Sequence, residues 1–184
     1  LARALQEKGV EHVFTLSGGF CNPALEGFME CQMKVINCPH EQIAGHFADG
    51  HTRITRKPAV CLVGPEGFAN AVPAMMEAWG ERSPVIFVTG SSTLKRQGSG
   101  GFKVIDDVAI AAPLTKYSAS ITDGDRINEF VDRAYKIATN GYPGAVHLSL
   151  PVDLMFSSFP EDAGRQERPF DLTSQAPSRA WPDP

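Results

Sequence analysis

The segment CPHEQIAGHFADGHTR, Cys38 to Arg53, sets a glutamate beside a histidine at what reads as a helix start, with two more histidines downstream. Zinc-protease chemistry needs two histidines four residues apart on one helical face, with the glutamate between them as base. His40, Glu41 and His46 do not keep that spacing. At about 100° per residue His46 turns away from His40, and His51 returns to the same face only roughly 16 Å further along the axis. One metal ion cannot be shared over that distance, so the pattern speaks against a metal site here. Glu41 remains the residue to explain.

Two explanations of Glu41 stay open from the residues alone. A carboxylate in a first helical turn complements the helix dipole, worth about 0.3–1 kcal/mol. Alternatively, Ala44, Gly45 and Ala48 form a small-residue stripe below it that admits a close neighbour. A glutamate at the mouth of such a packed helix is partly dehydrated, which retunes a carboxyl for proton transfer.

Other loops could serve the same chemistry. In SGGF (Ser17–Phe20) the paired Gly18 and Gly19 permit a tight turn and close backbone approach to a ligand. Neither Gly-x-Gly-x-x-Gly nor a phosphate loop ending in Gly-Lys-Ser/Thr occurs, so nucleotide binding by those routes is not expected. In GPEGFANAV (Gly64–Val72) glycine and proline shape a turn, and Asn70 adds a polar group near a helix start. The stretch TGSSTLKRQGSGGFKVIDDVAI places Ser and Gly before Phe102 and reads equally as a mobile surface loop or an active-site loop.

These loops follow strands. LARALQEKGVEHVFTL reads as an amphipathic helix stopped at Gly9 and followed by the strand Val13–Leu16. Further strands are expected at Lys34–Asn37, Ala59–Val63, Val85–Thr89, Tyr117–Ile121 and Ala145–Leu150. Helices are expected near Pro23–Gln32, His40–Ile54, Gly67–Trp79 and Arg126–Thr139. Continuous β-branched runs alternating with helices imply an α/β domain, a parallel sheet of about six strands with helices on both faces. Ligands in such sheets sit outside the carboxyl ends of the strands. After Pro160, PEDAGRQERPFDLTSQAPSRAWPDP is rich in proline, charge and small polar residues. The expected division is a folded domain over 1–158 and an extended linker over 159–184.

Bulk properties remove other functions. The 184 residues, 42% of them hydrophobic, allow one domain with a sizeable core. A net charge of −4 without a basic block lacks the footprint of a nucleic-acid binder, so any anionic small molecule needs local donors. The four cysteines form no Cys-x-x-Cys pair and no disulfide-scaffold density, which fits a reducing, cytoplasmic-type compartment. No apolar run reaches the roughly 18 residues of a membrane span. The start at Leu1, already in helical pattern, reads as a trimmed chain and leaves targeting residues open.

The ordered series VEHVFTLSGG, HEQIAGHFADGHTR, GFANAV, SPVIFVTGS and IDDVAIAAPLTKYS resembles the amino-terminal pyrimidine-binding domain of thiamine-diphosphate enzymes, over Leu1 to about Ser158. That group includes acetolactate synthase, benzaldehyde lyase, oxalyl-CoA decarboxylase and 2-hydroxyacyl-CoA lyase. The resemblance implies that Glu41 hydrogen-bonds the cofactor's aminopyrimidine and shifts its tautomer, with Gly18, Gly19 and Asn70 as further cofactor-binding residues. His46 and His51 become helix residues, interfacial or at the surface. The implied activity is carbon–carbon lyase, carboligase or decarboxylase chemistry next to a carbonyl, on a 2-oxo or 2-hydroxyacyl small molecule.

Departures leave the substrate open. Acetolactate synthases usually show Phe-Gln-Glu where this chain has Phe102-Lys103-Val104, and Gly-Pro-Gly where it has Gly64-Pro65-Glu66-Gly67. Benzaldehyde lyase has a histidine where Phe20 stands. GFANAV and IDDVAIAAP sit closer to the lyase branch, with an acetolactate-synthase-like domain as the alternative. The family's magnesium and diphosphate segment, Gly-Asp-Gly followed by asparagines, is absent; TDGDRIN (Thr122–Asn128) reads as a turn opening a helix. Mg²⁺ and the cofactor's diphosphate are therefore expected on the diphosphate-binding domain of a second subunit, in a homodimer or homotetramer. Without it the 184-residue chain is expected to be inactive. A silent binding module retaining the fold is the reading from another class. Phe68, Met75, Met76 and Trp79 on one helix are expected either to form a partner-seeking surface or to face the domain's own core.

Overall fold

The computed structural model describes residues 1–157, so the expected linker over 159–184 lies outside the described residues. Helices and strands alternate as α1 (Ala2–Gln6), β1 (His12–Thr15), α2 (Asn22–Glu30), β2 (Lys34–Asn37), α3 (Glu41–Thr55), β3 (Ala59–Val63) and α4 (Pro65–Gly80). They continue as β4 (Val85–Ser91), α5 (Asp107–Ala111), β5 (Ser118–Ser120), α6 (Ile127–Thr139), β6 (Val146–Pro151) and α7 (Val152–Met155). All six strands run parallel in the order β2-β1-β3-β4-β6-β5. The apolar runs AVCLV, VIFVTGS and VHLSLP are three of the four inner strands, buried at every residue, and HVFT of β1 is the fourth, buried from Val13 onward. The more polar KVIN and SAS form the two edges. Side chains alternate between faces along a strand, and the burial follows that rule. Val13, Val60, Leu62, Ile86, Val88 and Leu148 join α1, α2 and α6 in one core. Phe14, Cys61, Val63, Val85 and Phe87 join α3 and α4 in the other.

Local signals set the element ends. Gly9 turns the chain after α1 with a φ of 78°, a left-handed conformation that glycine adopts without steric cost. His40 caps α3, its Nδ1 accepting from the Gln42 N–H at 3.1 Å. Arg56 ends the helix with a φ of 58° while its N–H bonds back to the Thr52 carbonyl at 2.8 Å. TDGDRIN opens α6 as expected, with Asp123 Oδ1 accepting from the Asp125 N–H at 3.0 Å. The stretch after β4 differs from its Ser/Gly reading. From Asp107 it winds into α5, capped by Asp106 Oδ1 accepting from the Ala109 N–H at 2.9 Å. One Asp cap on a single turn of helix is too short a periodic signal to stand out in sequence.

Two of the four apolar residues on α4 resolve as core. Phe68 and Met75 are fully buried, while Met76 and Trp79 are 61% and 43% exposed. The stripe Ala44, Gly45 and Ala48 packs against α4, where Ala71, Ala74 and Ala78 are also buried. A Cβ on Gly45 would lie 2.5 Å from the Ala74 Cβ, so the two helices meet there without space for another methyl group. Gly45→Ala is therefore expected to destabilise the fold by about 1–3 kcal/mol through overpacking. The Ala-over-Gly helix propensity, up to about 1 kcal/mol, works in the opposite direction. A denaturant midpoint at or above that of the unaltered protein would show that α3 and α4 can part without cost.

Candidate functional site

The parallel sheet brings every loop following a strand to one edge, and ordered contacts join those loops. The Ser17 N–H donates to Asn37 Oδ1 at 3.1 Å, tying the β1 loop to the end of β2. The Phe20 carbonyl packs directly against Gly90 in β4, where a Cβ would collide with it. Gly18 starts the turn into α2, its carbonyl accepting from the Cys21 N–H at 2.7 Å. Above Gly18 and Gly19 no atom lies within 4 Å of a Cβ position, so the backbone there is open to an incoming group.

Glu41 is the first residue of α3 and half-buried. Asn70, one turn into α4, donates from Nδ2 to Glu41 Oε2 at 3.0 Å. Gly67 packs over the carboxyl group, and a Cβ on it would lie 2.5 Å from Glu41 Oε1 and 2.9 Å from Cδ. The carboxylate is thus oriented by an amide donor and pressed by bare backbone, with part of its surface left to solvent. Dipole complementarity requires neither contact. Gly67 was not singled out from sequence, because its need arises from a side chain on another helix.

Beside this carboxylate lies a second one. Glu66 pairs with Lys103, Nζ to Oε1 at 2.6 Å, and the hydrogen bond from Lys103 holds the Glu66 carboxyl below its usual range. Burial pushes the Cys21 thiol up to about 12, with Glu66 and Glu41 adding to the shift, so it is not a nucleophile at neutral pH. The described cysteines are free. The three histidines of this segment are apart: His40 caps α3, His46 is exposed, and His51 meets His12 at a tilt of 39° with ring centroids 4.2 Å apart. Among the described residues, no group of three or more His, Cys, Asp or Glu could hold a metal ion.

The chain after β4 arches over a cavity of about 280 Å³ lined by polar residues such as Ser91, Gln97, Asp107 and Ser120 and by the apolar Val104 and Ile105. Beneath it sits a buried cluster that sequence reading missed, since AVHLSL reads simply as strand. His147 bonds to Thr89 Oγ1 through Nε2 and to Ser118 Oγ through Nδ1, both at 2.9 Å. Burial drives its pKa down to about 3, so the imidazole is neutral. Asp107 Oδ2 lies 3.9 Å from His147 Nε2, a separation that is an ion pair only with a protonated ring. Burial raises the Asp107 carboxyl to about 6, partly offset by the nearby Ser149. Neither Asp107 Oδ2 nor Ser149 Oγ makes a well-formed hydrogen bond.

The family described as "Thiamine pyrophosphate enzyme, N-terminal TPP binding domain" matches residues 1–110. A probable acetolactate synthase large subunit of Methanocaldococcus jannaschii is 35% identical over 84% of this chain. The chain belongs to this family. A 2-hydroxyacyl-CoA lyase 2 of Danio rerio is 32% identical over 85% of the chain. The structure of benzoylformate decarboxylase from Polynucleobacter necessarius superposes with a TM-score of 0.80 at 24% identity, covering 86% of this chain and 30% of that one. The chain spans about a quarter of the length of these two curated relatives, 26% and 25%. The family's description implies the use of thiamine diphosphate. The arrangement is compatible with one ring of such a group: a carboxylate oriented by Asn70 and packed by Gly67 that keeps part of its surface open.

The buried pair has opposite effects on stability. The unfolded Asp107 loses its proton near 3.8 and the folded one near 6, so its contribution falls as pH rises through that window. The unfolded His147 binds a proton below about 6.5 and the folded one only near 3, so its contribution is lost as pH falls. Asp107→Asn removes the first effect and leaves the second. Its stability is expected to climb more steeply from pH 4 to 6.5 than that of the unaltered protein, as measured by urea midpoints. Parallel pH profiles would mean that Asp107 titrates like an exposed carboxylate.

Proposed function

We propose that this chain supplies Glu41 as the proton-handling carboxylate of a thiamine-diphosphate-dependent lyase, carboligase or decarboxylase acting next to a carbonyl. The observation carrying the reading is the held carboxylate: Asn70 donating at 3.0 Å and Gly67 packed over it. When bound, thiamine diphosphate supplies a nucleophilic carbon for attack on the substrate carbonyl. The chain's own contribution is local. Glu41 accepts a hydrogen bond from a protonated ring nitrogen and holds or returns that proton. Asn70 keeps the carboxylate from rotating away. The bare Gly67 backbone lets α4 close on the carboxylate and exclude water from one side, which strengthens a hydrogen bond made on the other. Gly18 and Gly19 offer open backbone to the same group.

The rest of the assembly belongs to the same proposal. Mg²⁺ and the cofactor's diphosphate are held by the diphosphate-binding domain of a second subunit, in a homodimer or homotetramer of cytoplasmic location. Met76 and Trp79, exposed on α4, offer apolar surface for such a partner. Among the described residues no helix is long and apolar enough to cross a membrane. The substrate is a 2-oxo or 2-hydroxyacyl small molecule. Acetolactate synthase chemistry is the second reading, supported by the 35% identity to the Methanocaldococcus jannaschii protein. The oriented carboxylate weighs against a silent module, which has no use for it.

In the complete enzyme, with the diphosphate-binding domain present, Glu41→Gln is expected to slow proton exchange at C2 of bound thiamine diphosphate by roughly 10²–10⁴-fold, the range of a general acid–base contribution. Its melting temperature should stay close to that of the unaltered protein. Gly67→Ala should displace the carboxylate and slow exchange in the same direction while keeping Glu41 ionisable. Normal exchange with a lowered melting temperature in Glu41→Gln would leave only the helix-dipole role.

A further inference from the structure

Lys103 occupies a backbone position that a lysine fills only under strain. Its φ is 61°, in the left-handed region that bulky residues seldom adopt, and such residues cluster where a ligand is clamped. Its Nζ lies 5.3 Å from the Phe20 ring centroid and 5.3 Å from that of Phe102. Two aromatic faces therefore position the ammonium. Glu66 is the acid it meets, and Glu66 immediately precedes Gly67, the residue packed over Glu41. The cation thus stands at the mouth of the proposed site, one helical position from the residue that seals it.

The pairing with Glu66 is unequal. The Lys103 side chain is 26% exposed and held by rings, whereas the Glu66 side chain is 61% exposed at 2.6 Å from it. An ion pair with so exposed a partner contributes little and exchanges readily with another anion. The same loop carries Lys95 and Arg96, both exposed and without an acidic partner among the described residues.

Resting on the reading of Glu41 as the cofactor's carboxylate, we infer that Lys103 is a specificity-determining residue whose ammonium exchanges Glu66 for an anionic group of the substrate. That group is separate from the reacting carbonyl, so the substrate class is an acyl compound ending in a carboxylate. The test compares 2-oxopentanedioate with 2-oxopentanoate, equal in chain length and differing in the terminal charge. KM is measured for both on the chain assembled with its diphosphate-binding domain, and the Kd of unreactive pentanedioate is measured by calorimetry on the same assembly. The unaltered protein should prefer the dicarboxylate by about tenfold or more, the scale of one charge-assisted hydrogen bond. Lys103→Asn, which tolerates the left-handed backbone, should abolish that preference while keeping kcat on the monocarboxylate and the melting temperature. Glu66→Gln should tighten pentanedioate binding by removing the competing carboxylate. Equal KM values in the unaltered protein, an equal loss for both acids in Lys103→Asn, or weaker binding in Glu66→Gln would each overturn the inference and leave Lys103 as a loop latch. C2 proton exchange that persists in Glu41→Gln overturns the cofactor reading instead, and the pentanedioate Kd then reports on the anion site alone.

Discussion

The space between α3 and α4 is the constraint on which the rest of the arrangement depends. Early residues of the two helices meet at Glu41 and Asn70, middle ones at Gly45 and Ala74, and late ones where Arg53 lies 3.9 Å from Glu77 and 3.5 Å from Glu81. The helices therefore run parallel over most of their length, with small residues setting their separation. Any increase at Gly45 and Ala74 also withdraws Gly67 from the Glu41 carboxyl group. Core packing is close to that of an organic crystal, so such a change spreads instead of being absorbed locally. Stability and site geometry are set by the same contact.

The sheet supplies the second requirement. β1 lies between β2 and β3, and the chain reverses its direction of travel across the sheet there. Such reversals open a crevice at the carboxyl ends of the strands. The β1 loop bearing Gly18 and Gly19 and the turn from β2 into Glu41 border that crevice, joined by the Ser17–Asn37 hydrogen bond. The α4 start bearing Gly67 follows β3. Gly90 contributes from β4 by leaving room for the Phe20 carbonyl. A larger residue at position 90 would push the loop off its seat and carry Phe20 away from Lys103. Residues remote in sequence are thereby held to a common geometry by backbone contacts, which bend less than side-chain contacts do.

What was legible in the sequence follows from the range of each signal. Strand cores such as AVCLV and VIFVT, and the helix beginning at His40, come from local periodicity and capping, and they fold where expected within a residue or two. The small stripe at Ala44, Gly45 and Ala48 correctly implied a close neighbour, because small residues on a helix face have little other use. Its partner, α4, was not readable, since pairing depends on strand order. Phe68 and Met75 belong to the core while Met76 and Trp79 do not. Met75 and Met76 are consecutive, about 100° apart around the helix, and composition alone does not assign the face. Gly67, Gly90 and the His147–Asp107 pair were hidden for a related reason: each acquires its meaning from a side chain or carbonyl on a different element.

The charges divide according to the same geometry. In the interior, desolvation outweighs charge, so His147 is neutral and Asp107 is pushed towards its protonated form, each placed among hydroxyl groups. At the edge of the sheet, Glu41 keeps partial contact with water, and Glu66 pairs with Lys103. The proposed role of Glu41, which is to exchange a proton with a ring nitrogen, calls for this intermediate setting. Full burial would hold it protonated, and full exposure would let water screen the hydrogen bond that orients it. Packing Gly67 on one side of Glu41 while leaving the other open achieves that balance without a second charge in contact. The Lys103–Glu66 pair is then free to set the electrostatic character of the opening, because Glu41 relies on Asn70, a neutral donor, for its orientation. On the proposed reading, proton handling at the start of α3 and charge selection by the pair joining the start of α4 to the loop of Lys103 can therefore vary independently.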